Sequence, residues 1–275
     1  MSEYMHGASR GSLAAAREAL GTLIRAGDSD LLALGDDLFA VAAVLDREGG
    51  LRRALVDPSR NSDDRAALAR AVFGERVGSA ALDVVSWTVR SRWSSSRQLV
   101  DAVELLAAEA VAAAANKAGR LDAVEDELFR ISRIVAGATE LRAAMADQAA
   151  PVENRAALIE GLLGDRVAEE TRRLVRQAVV APRGRNFDHV LETYGRVAAE
   201  LRSQLIATVT ATVPLTEEQL GRLAAALRRI YGAELHLNVQ LDPALVGGIR
   251  VEISDEVIDG SVVARLDEAR RRLVG

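Results

Sequence analysis

The sequence predicts a mainly α protein: an N-terminal helical bundle with an internal duplication, followed by a small α+β module of order β-α-β-β-α. Three observations carry this prediction. Apolar residues recur at three- and four-residue spacing as far as about residue 203, which is the helical period. Beyond that point the pattern changes to alternation, the period of a strand. The helical part also matches itself at a shift of 90 residues, aligning 35–77 with 125–167 without a gap.

In that alignment GDDLF lies over EDELF, LRRAL over LRAAM, and RAALARAVFGERV over RAALIEGLLGDRV. Identity at 14 of 43 positions is more than an alanine-rich composition produces by chance, and a period this long marks a duplicated subdomain rather than a solenoid. Leu38, Val41 and Leu45 in the first copy, and Leu128, Ile131, Ile134 and Val135 in the second, are spaced as buried helix faces. Pro58 and Pro151 fall in the connections before the two RAAL helices, where DPSRNSDD and DQAAPVEN offer Asp, Asn and Ser as N-caps. Between the copies, residues 94–118 hold no proline and no glycine, so one long helix is expected there, shared by both bundles. The expected division is 1–110 for the first copy, 111–203 for the second and 204–275 for the terminal module.

The module opens with QLIATVTATV at 204–213, a β-branched alternating run ended by Pro214. Thr216-Glu-Glu-Gln219 has the spacing of a capping box and predicts a helix to about Ile230. ELHLNVQL at 234–241 is read as a strand with Leu235, Leu237, Val239 and Leu241 inward. Asp242-Pro243 starts a turn, Gly247-Gly248 allow a tight entry, and Ile249, Val251 and Ile253 form the next strand. A corner at Ser254-Asp255-Glu256 returns through Val257 and Ile258, and Ser261 caps a last helix faced by Val262, Leu266, Ala269 and Leu273.

The composition bounds the function. With 275 residues and 49% hydrophobic content the chain can build real cores. Its net charge of −5 disfavours nucleic acid as a partner. With no cysteine there is no thiolate catalysis, disulfide or Cys-ligated metal. No stretch of about 18 uncharged apolar residues occurs, so no direct membrane insertion is expected. Of the basic residues, only Lys117 is a lysine.

No residue pattern predicts catalysis, cofactor binding or a metal site. Asp255, Glu256 and Asp259 are read as a solvated hairpin tip and a helix start rather than an acid/base pair. His6, His189 and His236 lack the spacing of metal ligands. There is no Gly-Lys for a Walker A loop and no G-x-G-x-x-G, and Gly247-Gly248 precede a strand rather than a helix N-terminus. The arginine pairs Arg52-Arg53 and Arg172-Arg173 and the run Arg270 to Arg272 are read mostly as solvated helix faces, and Trp87 and Trp93 as inter-helix core. What remains is a binding protein.

Residues 214–273 closely resemble the C-terminal signature of the delta subunits of F-type ATP synthases, the bacterial counterparts of the mitochondrial oligomycin-sensitivity-conferring protein. The residues that carry the resemblance are Leu215 to Gln219, Asp242-Pro243, Gly247-Gly248-Ile249 and Val257 to Ser261. Residues 120–213 resemble the helical part of that family, including AAPVENRAALIEGLLG, and residues 9–118 resemble it a second time, more loosely. This extra copy is a departure, as is SRGSLAAAREAL where the family carries Tyr-Ala. The resemblance implies a non-catalytic stator without cofactor. Its helical domain would grip N-terminal segments of the alpha subunits, its C-terminal module the b-subunit stalk helices, at the cytoplasmic face of the cell membrane as a peripheral protein. The alternative is a helical scaffold with unrelated partners; a third reading, an enzyme on the GGIRVEISDE hairpin, requires Asp255 or Glu256 to be essential for activity.

Overall fold

The computed structural model describes residues 7–259 except 148, 205, 232–234, 243, 244, 246, 254 and 255. The chain divides into two units, 1–199 and 200–275. In the first unit the helices are α1 (Ala8–Ala26), α2 (Leu31–Arg47), α3 (Gly49–Val56), α4 (Ser62–Phe73), α5 (Ser79–Arg90), α6 (Ser96–Lys117), α7 (Leu121–Gly137), α8 (Thr139–Ala146), α9 (Val152–Leu163) and α10 (Glu169–Val180). The next, α11 (Phe187–Gln204), crosses the boundary between the units.

Adding 90 to the bounds of α2, α3, α4 and α5 reproduces those of α7, α8, α9 and α10. The same shift carries α1 into α6 and α6 onto α11. Thus α1–α6 form copy A, α6–α11 form copy B, and α6 is the last helix of one and the first of the other. Its sequence suits that position. Ala102, Ala107, Ala108, Ala110, Ala112 and Ala115, with Leu99, Val103, Leu106 and Val111, are all buried, and a helix apolar on every side must be covered on every side. The covering helices approach closely: a Cβ placed on Gly35 of α2 would lie 2.6 Å from Val111 Cγ2 and 3.3 Å from the Ala107 carbonyl oxygen.

Some ends follow the sequence reading and others do not. Asn61 caps α4, accepting from Asp64 N at 2.7 Å. The N-cap position of α9 is held by Pro151, with no side-chain cap; Asp147 instead accepts from Ala149 N at 2.9 Å in the preceding loop. Asp30 caps α2 through Leu32 N and Ala33 N. Its equivalent in copy B, Arg120, makes a paired contact to Glu170 at 2.5 and 3.1 Å, tying the start of α7 to that of α10. Ile134, expected on the inner face of α7, is 64% exposed.

The second unit contains β1 (Ile206–Ala211), α12 (Glu217–Tyr231), β2 (His236–Leu241), β3 (Ile249–Ile253) and β4 (Glu256–Asp259). The sheet order is β2-β1-β3-β4, with β1 parallel to β2, antiparallel to β3, and β3 antiparallel to β4. The β1-α12-β2 crossover follows from the parallel pair, which a tight turn cannot join. The capping box is present: Thr216 N donates to Gln219 Oε1 at 2.9 Å, and Gln219 N to Thr216 Oγ1 at 3.2 Å. Ala207, Val209, Leu227, Leu235, Val251 and Ile253 form the core, with Leu223 packed against it.

Three expectations are corrected here. The helix α11 continues through Gln204, so the first strand starts at Ile206, and it ends at Ala211, leaving Val213 65% exposed. Leu241, expected inward, is 56% exposed at the end of an edge strand with no neighbour beyond it among the described residues of the sheet. Glu256, expected in the corner, already pairs with Ile253 in β4. The expected last helix, with Ser261, Val262, Leu266, Ala269, Leu273 and Arg270 to Arg272, lies outside the described residues.

Candidate functional site

The residues weighed for chemistry do not converge. His6, Asp255 and the arginine run at 270–272 lie outside the described residues. His189 is in α11, 4.0 Å from Glu192, and His236 is exposed on the edge strand β2. Gly247 and Gly248 have φ of 69° and 85°, the left-handed conformation the turn reading requires of glycine. The expectation that no G-x-S-x-G occurs is corrected: Gly7-Ala8-Ser9-Arg10-Gly11 has that spacing. Ser9 lies inside α1, one residue past its start, and not on the turn before a helix where a nucleophile elbow holds its serine. Ser9 is buried, donating to Gln98 Oε1 at 2.6 Å and accepting from Ser94 N at 2.8 Å. Among the described residues no group of three or more His, Asp or Glu could hold a metal ion, and no helix is long and apolar enough to cross a membrane.

Three of the four arginines in the two pairs make structural contacts, while Arg53 is exposed as expected. Arg52 Nη1 donates to the Leu45 and Asp46 carbonyls, both at 2.8 Å, closing the end of α2. Arg172 donates to the Gly164 carbonyl at 2.6 Å. Arg173 pairs with Glu169 at 2.8 Å and with Asp36, bridging α10 to α2 of copy A. Such carbonyl contacts use donors at the ends where helices lack their own.

A charge cluster binds the copies together. Glu104 of α6, 2% exposed, takes Arg183 and Arg185, each at 2.5 Å, and the Tyr194 hydroxyl at 2.8 Å. Arg183 also pairs with Asp101 and lies 3.6 Å from Asp46. Burial lowers the affinity of Arg183 for its proton, but Glu104, Asp101 and Asp46 outweigh that and hold it charged. Burial first, and then the Glu104 charge, push the Tyr194 hydroxyl well above 10. Arg183 reaches the cluster from a tight turn in which Arg185 N donates to the Pro182 carbonyl at 3.0 Å, with φ of 53° at Arg183 and 76° at Gly184. Two positive φ values are the signature of a type I′ turn, and left-handed arginine is costly by about 1 kcal/mol or more. The ion pairs offset that cost.

A second device occurs in both copies. Asp37 of α2 accepts from Gly78 N at 2.7 Å, and its equivalent Glu127 of α7 accepts from Ala168 N at 3.0 Å and from Thr171 Oγ1 at 2.5 Å. Gly78 and Ala168 are the N-cap residues of α5 and α10, neither with a capping side chain of its own. A carboxylate from a neighbouring helix therefore sits at each N-terminus, where negative charge is favoured.

The copies differ in what they expose. Phe39 is 5% exposed and meets Tyr194 with ring centroids 6.1 Å apart, whereas its equivalent Phe129 is 62% exposed. On α9, Leu158 and Leu162 are 42% and 47% exposed, while their equivalents Leu68 and Val72 are half-buried. Copy B thus carries apolar side chains in solvent where copy A covers them, the kind of surface that marks a docking site. Copy B also holds a cavity of about 380 Å³ walled by Arg142, Met145, Arg155, Ala178, Arg185 and Phe187.

Comparison with known proteins gives these faces a context. The model of the ATP synthase delta (OSCP) subunit family matches residues 107–273, starting within α6 and leaving most of copy A outside. The ATP synthase subunit delta of Streptomyces coelicolor is 50% identical over 269 residues, 98% of each chain. That of Kineococcus radiotolerans is 47% identical over 269 residues with the same coverage, and that of Thermobifida fusca 45% identical over 271 residues, 98% of this chain and 100% of its own. These relatives therefore align with copy A as well. A chain in the cryo-EM structure of the Toxoplasma gondii mitochondrial ATP synthase hexamer is 20% identical and aligns with 61% of this chain and 95% of its own, at a TM-score of 0.30 that carries no weight for the fold. By a family match over more than half its length and by relatives near half identity from end to end, the chain belongs to the ATP synthase delta (OSCP) subunit family.

Proposed function

We propose that the chain is a non-catalytic peripheral-stalk subunit of an F-type ATP synthase, a stator that joins the catalytic head to the b-subunit stalk and resists rotation during synthesis. In this reading residues 1–110 and 111–203 are two helical domains joined through α6, and 204–275 is a separate small domain. The helical domains hold N-terminal segments of the alpha subunits and the terminal domain holds the b-subunit helices, at the cytoplasmic face of the cell membrane and without insertion into it.

Family membership supports the stator role, and one observation favours copy B as the head-binding copy. Phe129, Leu158 and Leu162 lie exposed where copy A buries or half-buries the equivalent side chains. Amphipathic partner helices bind through such apolar positions. A stator has to stay attached through every rotary step, so its dissociation constant is expected at the nanomolar level, about −12 kcal/mol.

The test is recovery of alpha and b subunits with the tagged chain from solubilised native membranes, followed by titration against the isolated head. Wild-type chain is expected to hold the head at nanomolar concentration. The triple substitution Phe129→Asp, Leu158→Asp, Leu162→Asp should weaken it about a hundredfold or more while the helix content is unchanged. A micromolar wild-type constant would sink the stator reading, and recovery of other soluble partners without alpha or b would leave the scaffold in its place.

A further inference from the structure

The 90-residue repeat allows the copy B cavity to be compared with the same place in copy A. There the position is served by Trp93, which is 8% exposed and donates its indole N–H to the Thr88 carbonyl at 2.9 Å. The repeat maps Thr88 to Ala178 and Trp93 to Arg183. Ala178 is on the cavity wall; Arg183 is not, because the type I′ turn sends it to Glu104. Copy B therefore lacks the indole that copy A supplies to itself.

The polar partner of that indole has been left behind. The N–H four residues after Ala178 would belong to Pro182, which has none. Ala181 N donates to the Gln177 carbonyl at 3.0 Å. The Ala178 carbonyl thus has no donor from its own helix, at a place where the equivalent carbonyl accepts from an indole. Buried acceptors of this kind are normally satisfied. One more buried polar atom on the same wall, Asp188 Oδ1, has no protein partner; Arg155 Nε has none either, but the same is true of its copy A equivalent Arg65 Nε, so that atom does not distinguish the copies.

The rest of the wall narrows the ligand class. Three arginines, Arg142, Arg155 and Arg185, share the wall with one acidic residue, Asp188, a balance that disfavours a cation, although the Arg185 guanidinium is also paired with Glu104. Met145, Ala178 and Phe187 supply apolar surface. Guanidinium groups beside an apolar wall suit an aromatic face, where the ring quadrupole attracts them. The volume of about 380 Å³ is at the lower end for small-ligand sites.

We propose that this cavity is a socket for an indole ring, with its N–H directed to the Ala178 carbonyl. The indole is either a tryptophan side chain presented by another chain or a free indole compound, and the same chemistry recognises both. This inference rests on the cavity and the repeat rather than on the stator reading.

The test uses the full-length isotopically labelled chain, titrated with indole and with 1-methylindole while amide resonances are followed. Saturable shifts centred on Ala178 and Phe187 are expected with indole, at a dissociation constant of ~1 mM. Binding of 1-methylindole should be about tenfold weaker, because it has no N–H to donate. Arg183→Trp, which gives copy B the residue of copy A, should abolish the indole shifts. Ala143→Trp, at an exposed wall position, should do so even if the first variant does not fold. Absence of saturable shifts up to ~10 mM, or equal binding of 1-methylindole, would overturn the proposal.

The source is decided on native membranes. If N-acetyltryptophanamide lowers retention of the wild-type chain but not of Ala143→Trp, the occupant is a tryptophan of a partner. Unchanged retention, with the shifts in place, assigns the socket to a free indole. A chain that fails to recover alpha or b subunits but shows the indole shifts would refute the stator reading alone.

Discussion

Tyr194 is where burial, charge and the contact between copies meet. Its ring lies against Phe39 and its hydroxyl donates to Glu104 at 2.8 Å. Because burial and the Glu104 charge raise its pKa well above 10, the folded chain keeps this proton after the unfolded chain has released it. The folded state then binds more protons, so stability falls as pH rises past ~10, by up to ~1.4 kcal/mol per pH unit from this one group. Chemical denaturation from pH 8 to 11 should show that loss in wild type. In Tyr194→Phe this part of the slope should vanish, at a constant cost of ~1 kcal/mol for the missing hydrogen bond. The cluster was not visible in the sequence. A glutamate amid alanines and leucines at VELLAAEAV was a clue to a buried charge, but its partners lie about eighty to ninety residues further on and are brought to it by a turn whose left-handed arginine no local rule predicts. Arg53 is exposed as its pair's pattern suggests, but the roles of Arg52 and Arg172 are not legible for a similar reason: carbonyl acceptors at helix ends leave no mark in residue composition.

Between elements, α2 approaches α6 closely at Gly35. A methyl group there has Val111 at 2.6 Å and a backbone carbonyl at 3.3 Å. Gly35→Ala would gain about 1 kcal/mol of helix propensity in an open position, but overpacking should reverse the sign and cost ~1–2 kcal/mol net. Thermal unfolding of Gly35→Ala beside Gly161→Ala checks this, since a Cβ at Gly161 of α9 meets nothing within 4 Å; the second substitution should stabilise. Elements as such were legible. The long central helix was expected at 94–118 and runs 96–117, and the capping box at Thr216 formed as its spacing required. Edges were less legible: Ile134, Val213 and Leu241 fit the apolar period yet face solvent, because periodicity reports which residues share a face and not whether anything covers it.

At the scale of the whole molecule, the repeat makes a statement about where the chain can be cut. The family model begins at residue 107, and a fragment starting at Ser96 retains every helix of copy B. It also removes α2 from α6, uncovering the alanine-rich face that meets Gly35. Residues 96–275 are therefore expected to keep helical circular dichroism but to lose sharp amide resonances in the helical part and to bind hydrophobic dyes. A well-dispersed spectrum from that fragment would show that copy A is dispensable for packing. The duplication itself was legible from sequence because it preserved residue types at RAAL and the flanking leucines; which copy leaves its apolar side chains uncovered was not, since Phe39 and Phe129 are the same residue in the matching segments GDDLF and EDELF. The sharing of α6 has a mechanical meaning. Domains joined by a flexible linker can be pulled apart until the linker is taut, and its compliance is that of a disordered chain. Here the connection is a single helix about 33 Å long, embedded in both bundles at once, so a load entering at copy B reaches copy A through packed side chains with no slack to take up.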